Sequence, residues 1–348
     1  MVFEQLPSVC ADSFLTYSGK MSGNSKKIEW LAVLQGYSML LVVIGHVMLT
    51  NVSNDPTTPI ATKIQTVIYS FHMPLFIFIS GWLFYFTCIR KEKSYGDVVM
   101  SKVRRLGVPF LTFTLVATVL KSAFPSLMHR PVTAQELIDT FLLFSSNPLG
   151  EMWFIVVLFI LMMLYPVYRF VVEKKWAACM LLGISMVAYI CPPQVAIFYI
   201  DKVCHMVPFF IGGILCCKYE LQKYLTSIWA MVICAALFLL WNVLGVMYDP
   251  MKFLSISIGI LFSFSLCLNL AKKWPQLFSS FRDYTFQIFL LGIFFQMAIR
   301  WGYVRMGQEW LFVPMWLLSV IIGVYAPTLI AKIIDKKTPR CIKMCFGL

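Results

Sequence analysis

The sequence predicts an all-α, polytopic integral membrane protein of about ten transmembrane helices with both termini in the cytoplasm. Three observations carry this. Hydrophobic residues make up 60% of the chain and charged residues 13%, and the mean hydropathy is +0.79, against roughly 45–50% and about 25% in ordinary soluble domains. Many apolar runs are long enough to cross about 30 Å of hydrocarbon as helix, and short charged loops separate them. The third observation is charge asymmetry. With the N-terminus inside, 22 of the 29 Lys and Arg fall in inner segments and 7 in outer ones, as expected when basic loops resist translocation.

The expected spans are approximately 30–50, 68–88, 107–127, 152–172, 177–193, 203–217, 226–246, 252–271, 284–302 and 310–333. Residues 1–28 form a cytoplasmic N-terminal segment, 29–335 a single membrane domain and 336–348 a short basic tail. The N-terminal segment lacks the compact apolar core of a cleaved signal peptide, and Met21 offers an alternative start. The fifth and sixth spans are interrupted by Pro192, Pro193 and Pro208. Segment 133–146 is amphipathic and suits the interface rather than a crossing.

A net charge of +13 would suggest nucleic acid in a soluble domain. Here the positive charge sorts by membrane side, so lipid headgroups are the expected contact and nucleic acid is not. The 11 Cys are scattered through apolar runs, with no CxxC pair and no His at zinc spacing, so no metal site is expected. The chain also lacks a P-loop, a GxSxG elbow, an HExxH helix and a GxGxxG turn after a soluble strand. Support for ATP-driven transport within this chain, serine hydrolysis and zinc proteolysis falls accordingly.

All four His fall toward the outer side of this topology: His46 near the end of helix 1, His72 opening helix 2, His129 in a loop and His205 opening helix 6. Imidazole accepts a proton near neutral pH, as activation of a hydroxyl nucleophile requires. Ionisable groups inside spans usually line a cavity, which makes His46 the most informative; the alternative is an interhelical hydrogen bond. Gln35 lies eleven residues earlier, on the same helical face and about 16 Å away along the axis. The loop holding Arg90, Lys91, Lys93, Lys102, Arg104 and Arg105 reads either as a topology signal or as a phosphate clamp, Arg being suited to phosphate oxygens.

Several blocks resemble, in order and spacing, the acyltransferase 3 family: EWLAVLQGYSMLLVVIGH ending at His46, FHMPLFIFISG ending at Gly81, RRLGVP ending at Pro109, Trp153-Phe154, PFFIGG ending at Gly213 and YTFQIFLL ending at Leu291. Nearly the whole chain from residue 28 to about 333 takes part, and the nearest likeness is to bacterial exopolysaccharide and sugar O-acetyltransferases. The resemblance implies a ten-helix enzyme of the bacterial cytoplasmic (inner) membrane. It would move an acyl group, usually acetyl from cytoplasmic acetyl-CoA, to a hydroxyl of a cell-surface or lipid-linked carbohydrate.

The resemblance also implies site roles. The family's essential His corresponds to His46, and its basic pair corresponds to Lys102 and Arg105, with Lys in place of one Arg. His46 and His72 are the candidate catalytic residues; Lys102, Arg104, Arg105 and Gln35 would bind the donor. Read from the residues and not from the resemblance, Glu151, Trp153 and His205 would bind the acceptor, Trp153 reading equally as an aromatic anchor at the membrane interface, while Ser80, Gln35 and His72 are candidate oxyanion donors. Two departures stand out: many members carry Arg where this chain has Gln35, and His where it has Gly292. A flippase for a lipid-linked sugar and an inactive polysaccharide-assembly partner are the alternatives, and a homodimer is left open.

Overall fold

The computed structural model describes residues 28–123, 133–244 and 249–348; His129 and Met21 lie outside the described residues. In chain order the helices are α1 (Glu29–Gly45), α2 (Thr58–Phe84), α3 (Tyr95–Lys102), α4 (Val108–Ala123), α5 (Ala134–Phe141), α6 (Trp153–Met163) and α7 (Tyr165–Val172). They continue as α8 (Lys175–Ile190), α9 (Ile200–Lys218), α10 (Ile228–Leu244), α11 (Asp249–Lys273), α12 (Thr285–Met306), α13 (Phe312–Lys337) and α14 (Arg340–Cys345). No strand occurs among the described residues, as expected where lipid offers the backbone no hydrogen bonds.

Among the described residues, seven helical stretches are long and apolar enough to cross a membrane, or up to eight if the bent pair α6 and α7 is one span. Two shorter apolar helices, Lys175–Ile190 and Ile228–Asn242, occupy the positions of the expected fifth and seventh spans.

Several expectations change in detail. The fourth span bends by 50° between α6 and α7, where Leu164 leaves helical geometry and Pro166 at the start of α7 cannot donate to the preceding turn. Pro208 does not interrupt its helix: α9 runs through it from Ile200 to Lys218. α8 stops at Ile190, just ahead of the Pro192-Pro193 pair. α1 ends at Gly45 rather than near residue 50, and α2 starts at Thr58, ten residues earlier than expected. In that extension Thr62 and Thr66 donate their hydroxyls to carbonyls four residues back, which masks polar side chains within a helix. Segment 133–146 does contain a short amphipathic helix, α5, whose Thr133 cap accepts from Glu136 N–H.

The chain divides into two compact units, with the division inside α2 between Phe76 and Ile77. The first unit holds α1, the start of α2 and α10 to α14. In it α12 and α13 make the most extensive helix pair, and α1 packs on α11, α12 and α13. Gly36 lets α1 close on Phe278 and Arg282, since an added Cβ would stand 2.6 Å from Phe278 Cβ. Buried Arg282 donates to the Pro275 and Leu277 carbonyls and pairs with Glu29 at 2.9 Å, tying down the start of α1.

The second unit holds the rest of α2 and α3 to α9. Here Gly81 of α2 and Gly213 of α9 make a backbone-to-backbone crossing. A Cβ at Gly81 would overlap the Phe210 carbonyl oxygen, and one at Gly213 the Phe78 carbonyl oxygen. Association of apolar helices rests on such close packing of small residues. π-helical turns at Tyr85–Ile89 and Val103–Gly107 flank the basic loop. Tyr165 donates to the Lys93 carbonyl at 2.7 Å, which secures the loop to α7.

Candidate active site

α1 stops where its last carbonyls find side-chain partners. A helix end leaves four carbonyls without helical donors, and in an apolar setting each is costly. Val42 O accepts from the His46 ring at 2.8 Å, and Val43 O accepts from Gln296 Nε2 at 2.8 Å. Gln65 Nε2 donates to Ile44 O at 3.4 Å and to Val47 O at 2.6 Å, while its Oε1 accepts from Thr50. Beyond the break, Val47 and Leu49 pack against Tyr303 and Phe312. His46 is therefore presented at a fixed helix terminus.

The bond to Val42 O determines the chemistry of the ring. A carbonyl oxygen can only accept, so Nδ1 of His46 carries the hydrogen, and in the neutral imidazole Nε2 keeps its lone pair. That is the tautomer a general base needs. His72, fully buried on α2, repeats the arrangement with Nδ1 donating to Ile68 O at 2.8 Å. Its Nε2 is buried without a hydrogen-bond partner.

The two rings lie edge to face, 5.7 Å apart between centroids. Tyr69 completes the cluster at 5.2 Å from His46 and 5.0 Å from His72. Gly45 permits this approach, because an added Cβ would come within 3.3 Å of Ile68 Cγ2 on α2. Among the described residues no three His, Cys, Asp or Glu side chains gather as metal ligands would.

Of the other candidates, Gln35 is buried in α1, in the same unit as His46 and His72. Lys102, Arg104, Arg105, Glu151, Trp153, His205 and Ser80 belong to the second unit. There Lys102, half-buried at the end of α3, lies over the Phe84 ring at 5.8 Å; Arg105 is half-buried in the following π turn and Arg104 is exposed. Glu151 sits in the short turn that leads into α6. The Trp153 ring carries the Lys202 ammonium at 4.7 Å, a cation–π contact that occupies one face. His205, one turn beyond Lys202, donates from Nδ1 to the Asp201 carbonyl and meets Tyr189 edge to face.

Sequence reasoning missed Tyr69, Gln65, Gln296 and Lys202. The glutamines carried a usable signal, as amides in or beside apolar runs generally bond across helices. Tyr69 also carried one, at i and i+3 with His72 on a helical face.

At Gly292, where many relatives of the resembled family carry His, an added Cβ would meet the Gly323 carbonyl oxygen at 3.1 Å. The close approach of α12 and α13 leaves no room for an imidazole there.

The fold and site together define a multi-pass, all-helical membrane protein with a histidine pair gathered at a helix break. The chain belongs to the acyltransferase 3 family: the family's profile, described as an acyltransferase domain, matches residues 28–332. The chain is 33% identical over 128 residues to nodulation protein NolL of Mesorhizobium japonicum, covering 36% of this chain and 32% of that protein. It is 27% identical over 186 residues to nodulation protein NolL of Sinorhizobium fredii, covering 52% of this chain and 46% of that protein. The chain thus spans less than half the length of each of these relatives. No solved structure matches.

Proposed function

We propose that this chain is a membrane O-acyltransferase with ten transmembrane spans, N-in and C-in, in a bacterial cytoplasmic membrane. The ten comprise the seven long helices, the bent α6–α7 pair and the two shorter apolar helices. The reaction moves an acyl group, acetyl foremost, from cytoplasmic acyl-CoA to a hydroxyl of a cell-surface or lipid-linked carbohydrate. The observation that carries this reading is the His46 ring at the end of α1, its Nδ1 bonded to Val42 O at 2.8 Å and the Tyr69 and His72 rings packed against it.

In this reading His46 Nε2 takes the proton of the acceptor hydroxyl as that oxygen bonds to the thioester carbonyl carbon. When the C–S bond breaks, the same nitrogen returns the proton to the departing thiolate. His72 stays neutral beside it, and its unpartnered Nε2 is an acceptor for the imidazolium that His46 becomes. Gln35 would contact the donor on the α1 side.

Lys102 and Arg105 hold the donor's phosphates, with exposed Arg104 adding to the local field. Two half-buried cations beside a π turn fit that task, since π turns often mark functional sites. Glu151, Trp153 and His205 assist in acceptor binding, with Lys202 as an added partner.

The flippase reading loses the broken sixth helix that favoured it, because α9 is continuous through Pro208. The test uses purified chain in liposomes with radiolabelled acetyl-CoA and a carbohydrate acceptor. Label appearing in the carbohydrate supports the proposal; acceptor crossing the bilayer without acylation overturns it.

A further inference from the structure

α2 is longer than a membrane crossing needs. With its π-helical end it runs 32 residues, Thr58–Ile89, or about 48 Å at 1.5 Å per residue, against about 30 Å of hydrocarbon. A tilt of up to about 40° takes up only part of the excess. Counted back from Arg90, where the basic loop begins, the roughly 20 residues that hydrocarbon requires reach Ser70. The turns from Thr58 to Tyr69 therefore stand beyond it, at the end of α2 away from the basic loop.

Those turns form one wall of a cavity of about 1020 Å³ in the first unit, closed in by the loop after α1 and by residues of α10 and α11. The wall carries Thr58, Thr62, Thr66 and Ser70 at four-residue spacing, a ladder about 18 Å long. Three of them spend their hydrogens on backbone carbonyls: Thr62 on Thr58 O at 2.9 Å, Thr66 on Thr62 O at 2.9 Å and Ser70 on Val67 O at 2.7 Å. Each keeps oxygen lone pairs, so a ligand on this wall must be the donor. Two further polar atoms of the lining residues are buried with no hydrogen-bond partner within the protein, Thr58 Oγ1 at the start of the ladder and Trp241 Nε1 on α10.

Charge does not select the ligand. Lys63 and Lys252 line the cavity together with Asp55, and Glu309 stands at its rim, accepting from Ser53 at 3.1 Å and from the Asn54 amide at 2.9 Å. Two cations against two carboxylates leave no excess of either sign among the described residues. A neutral molecule with many hydroxyls fits this lining. The volume is at the upper end of the range of about 300–1,000 Å³ usual for small-molecule sites, and the length of the ladder suits several sugar rings in a row.

At the far end of the ladder Tyr69 lines the cavity, and its ring lies 5.2 Å from the His46 ring. We propose that this cavity binds a neutral oligosaccharide chain, laid along the ladder from Thr58 to Ser70 with one end at Tyr69. That the chain is the acceptor, its terminal hydroxyl carried past Tyr69 to His46, rests on the acyltransferase reading above; the binding itself does not.

The test measures binding to the full-length chain in nanodiscs of zwitterionic lipid, without acyl-CoA. The ligands are neutral glucose oligomers from the monosaccharide to the tetrasaccharide, which offer hydroxyls and no carboxyl, amine or phosphate, and the permethylated tetrasaccharide, which has no hydroxyl to donate. The tetrasaccharide is expected to bind at least about tenfold more tightly than the monosaccharide, as added hydrogen bonds along the ladder require. The permethylated chain is expected to lose that gain. Thr62→Val with Thr66→Val removes two ladder oxygens at nearly constant shape and is expected to weaken tetrasaccharide binding about tenfold. Thr62→Ala with Thr66→Ala, whose side chains favour helix, is expected to show the same loss with thermal stability retained.

Affinity that does not grow with chain length overturns the proposal, as does an absence of binding by every oligomer. Equal binding of the permethylated chain overturns it too, and so does wild-type affinity in both double variants. Length-dependent binding without acyl transfer leaves this inference standing and removes the enzyme reading. Acyl transfer that is blind to acceptor length does the reverse.

Discussion

His46 and His72 meet edge to face with 5.7 Å between ring centroids, and each gives its Nδ1 hydrogen to the carbonyl four residues earlier in its own helix. The pair is matched in tautomer and differs in surroundings: His46 is half-buried at a helix end, whereas His72 is fully buried in mid-helix. In the proposed reaction, that difference suits His46 to proton transfer and His72 to support. His72→Gln is expected to lower kcat about tenfold with little change in KM, and to shift the pH profile of kcat. An unchanged pH profile, with loss of thermal stability alone, would make His72 a packing residue.

Gln65 closes the chain around the helix end through three hydrogen bonds. Gln65→Leu leaves the Val47 and Ile44 carbonyls without that donor, at a cost of about 1–3 kcal/mol. It is expected to lower kcat by releasing the His46 terminus while donor affinity holds. Thermal unfolding and steady-state kinetics on the same preparation separate the two effects.

Gly81→Ala and Gly213→Ala each drive a methyl into a backbone carbonyl across the α2–α9 crossing. Each is expected to destabilise by about 1–3 kcal/mol or more, since backbone cannot move aside as a side chain can. Gly183→Ala in α8 meets nothing within 4 Å, and it is expected to be neutral or to stabilise by about 0.5–1 kcal/mol. Fluorescence-detected thermal melts of the three variants in detergent provide the check.

Lys102→Ala with Arg105→Ala is expected to weaken acetyl-CoA binding at least about tenfold with the fold retained, as loss of charge-assisted phosphate contacts requires. Calorimetry on the purified protein reads this directly. Unchanged affinity would mean that the basic loop serves topology and lipid contact alone.

How far the sequence was legible depended on whether a feature was local. Apolar length placed α9, α12 and α13, and the start of α1, to within a few residues, because a membrane helix must bury its backbone bonds internally wherever it packs. Local rules misjudged Pro208, whose missing donor α9 tolerates, and the end of α1, which is set by Gln65 and Gln296 from other helices. The place of His46 at the end of the first helix was legible from its position at the end of an apolar run. Its neighbours were not, because bringing Tyr69 and His72 to it depends on the pairing of α1 with α2 and on the space left by Gly45. The GG pair ending at Gly213 was visible as a motif, but its purpose, a backbone crossing with Gly81, appears only in three dimensions.

The central claim is that His46 Nε2 is the base. Its most direct test is single-turnover acyl transfer from acetyl-CoA by the reconstituted chain, comparing wild type with His46→Gln, an amide that keeps polarity without basicity. The account predicts a loss of about 10²–10⁴-fold in the transfer step, with thermal stability and acetyl-CoA affinity near those of wild type. Transfer at an undiminished rate in His46→Gln would contradict it.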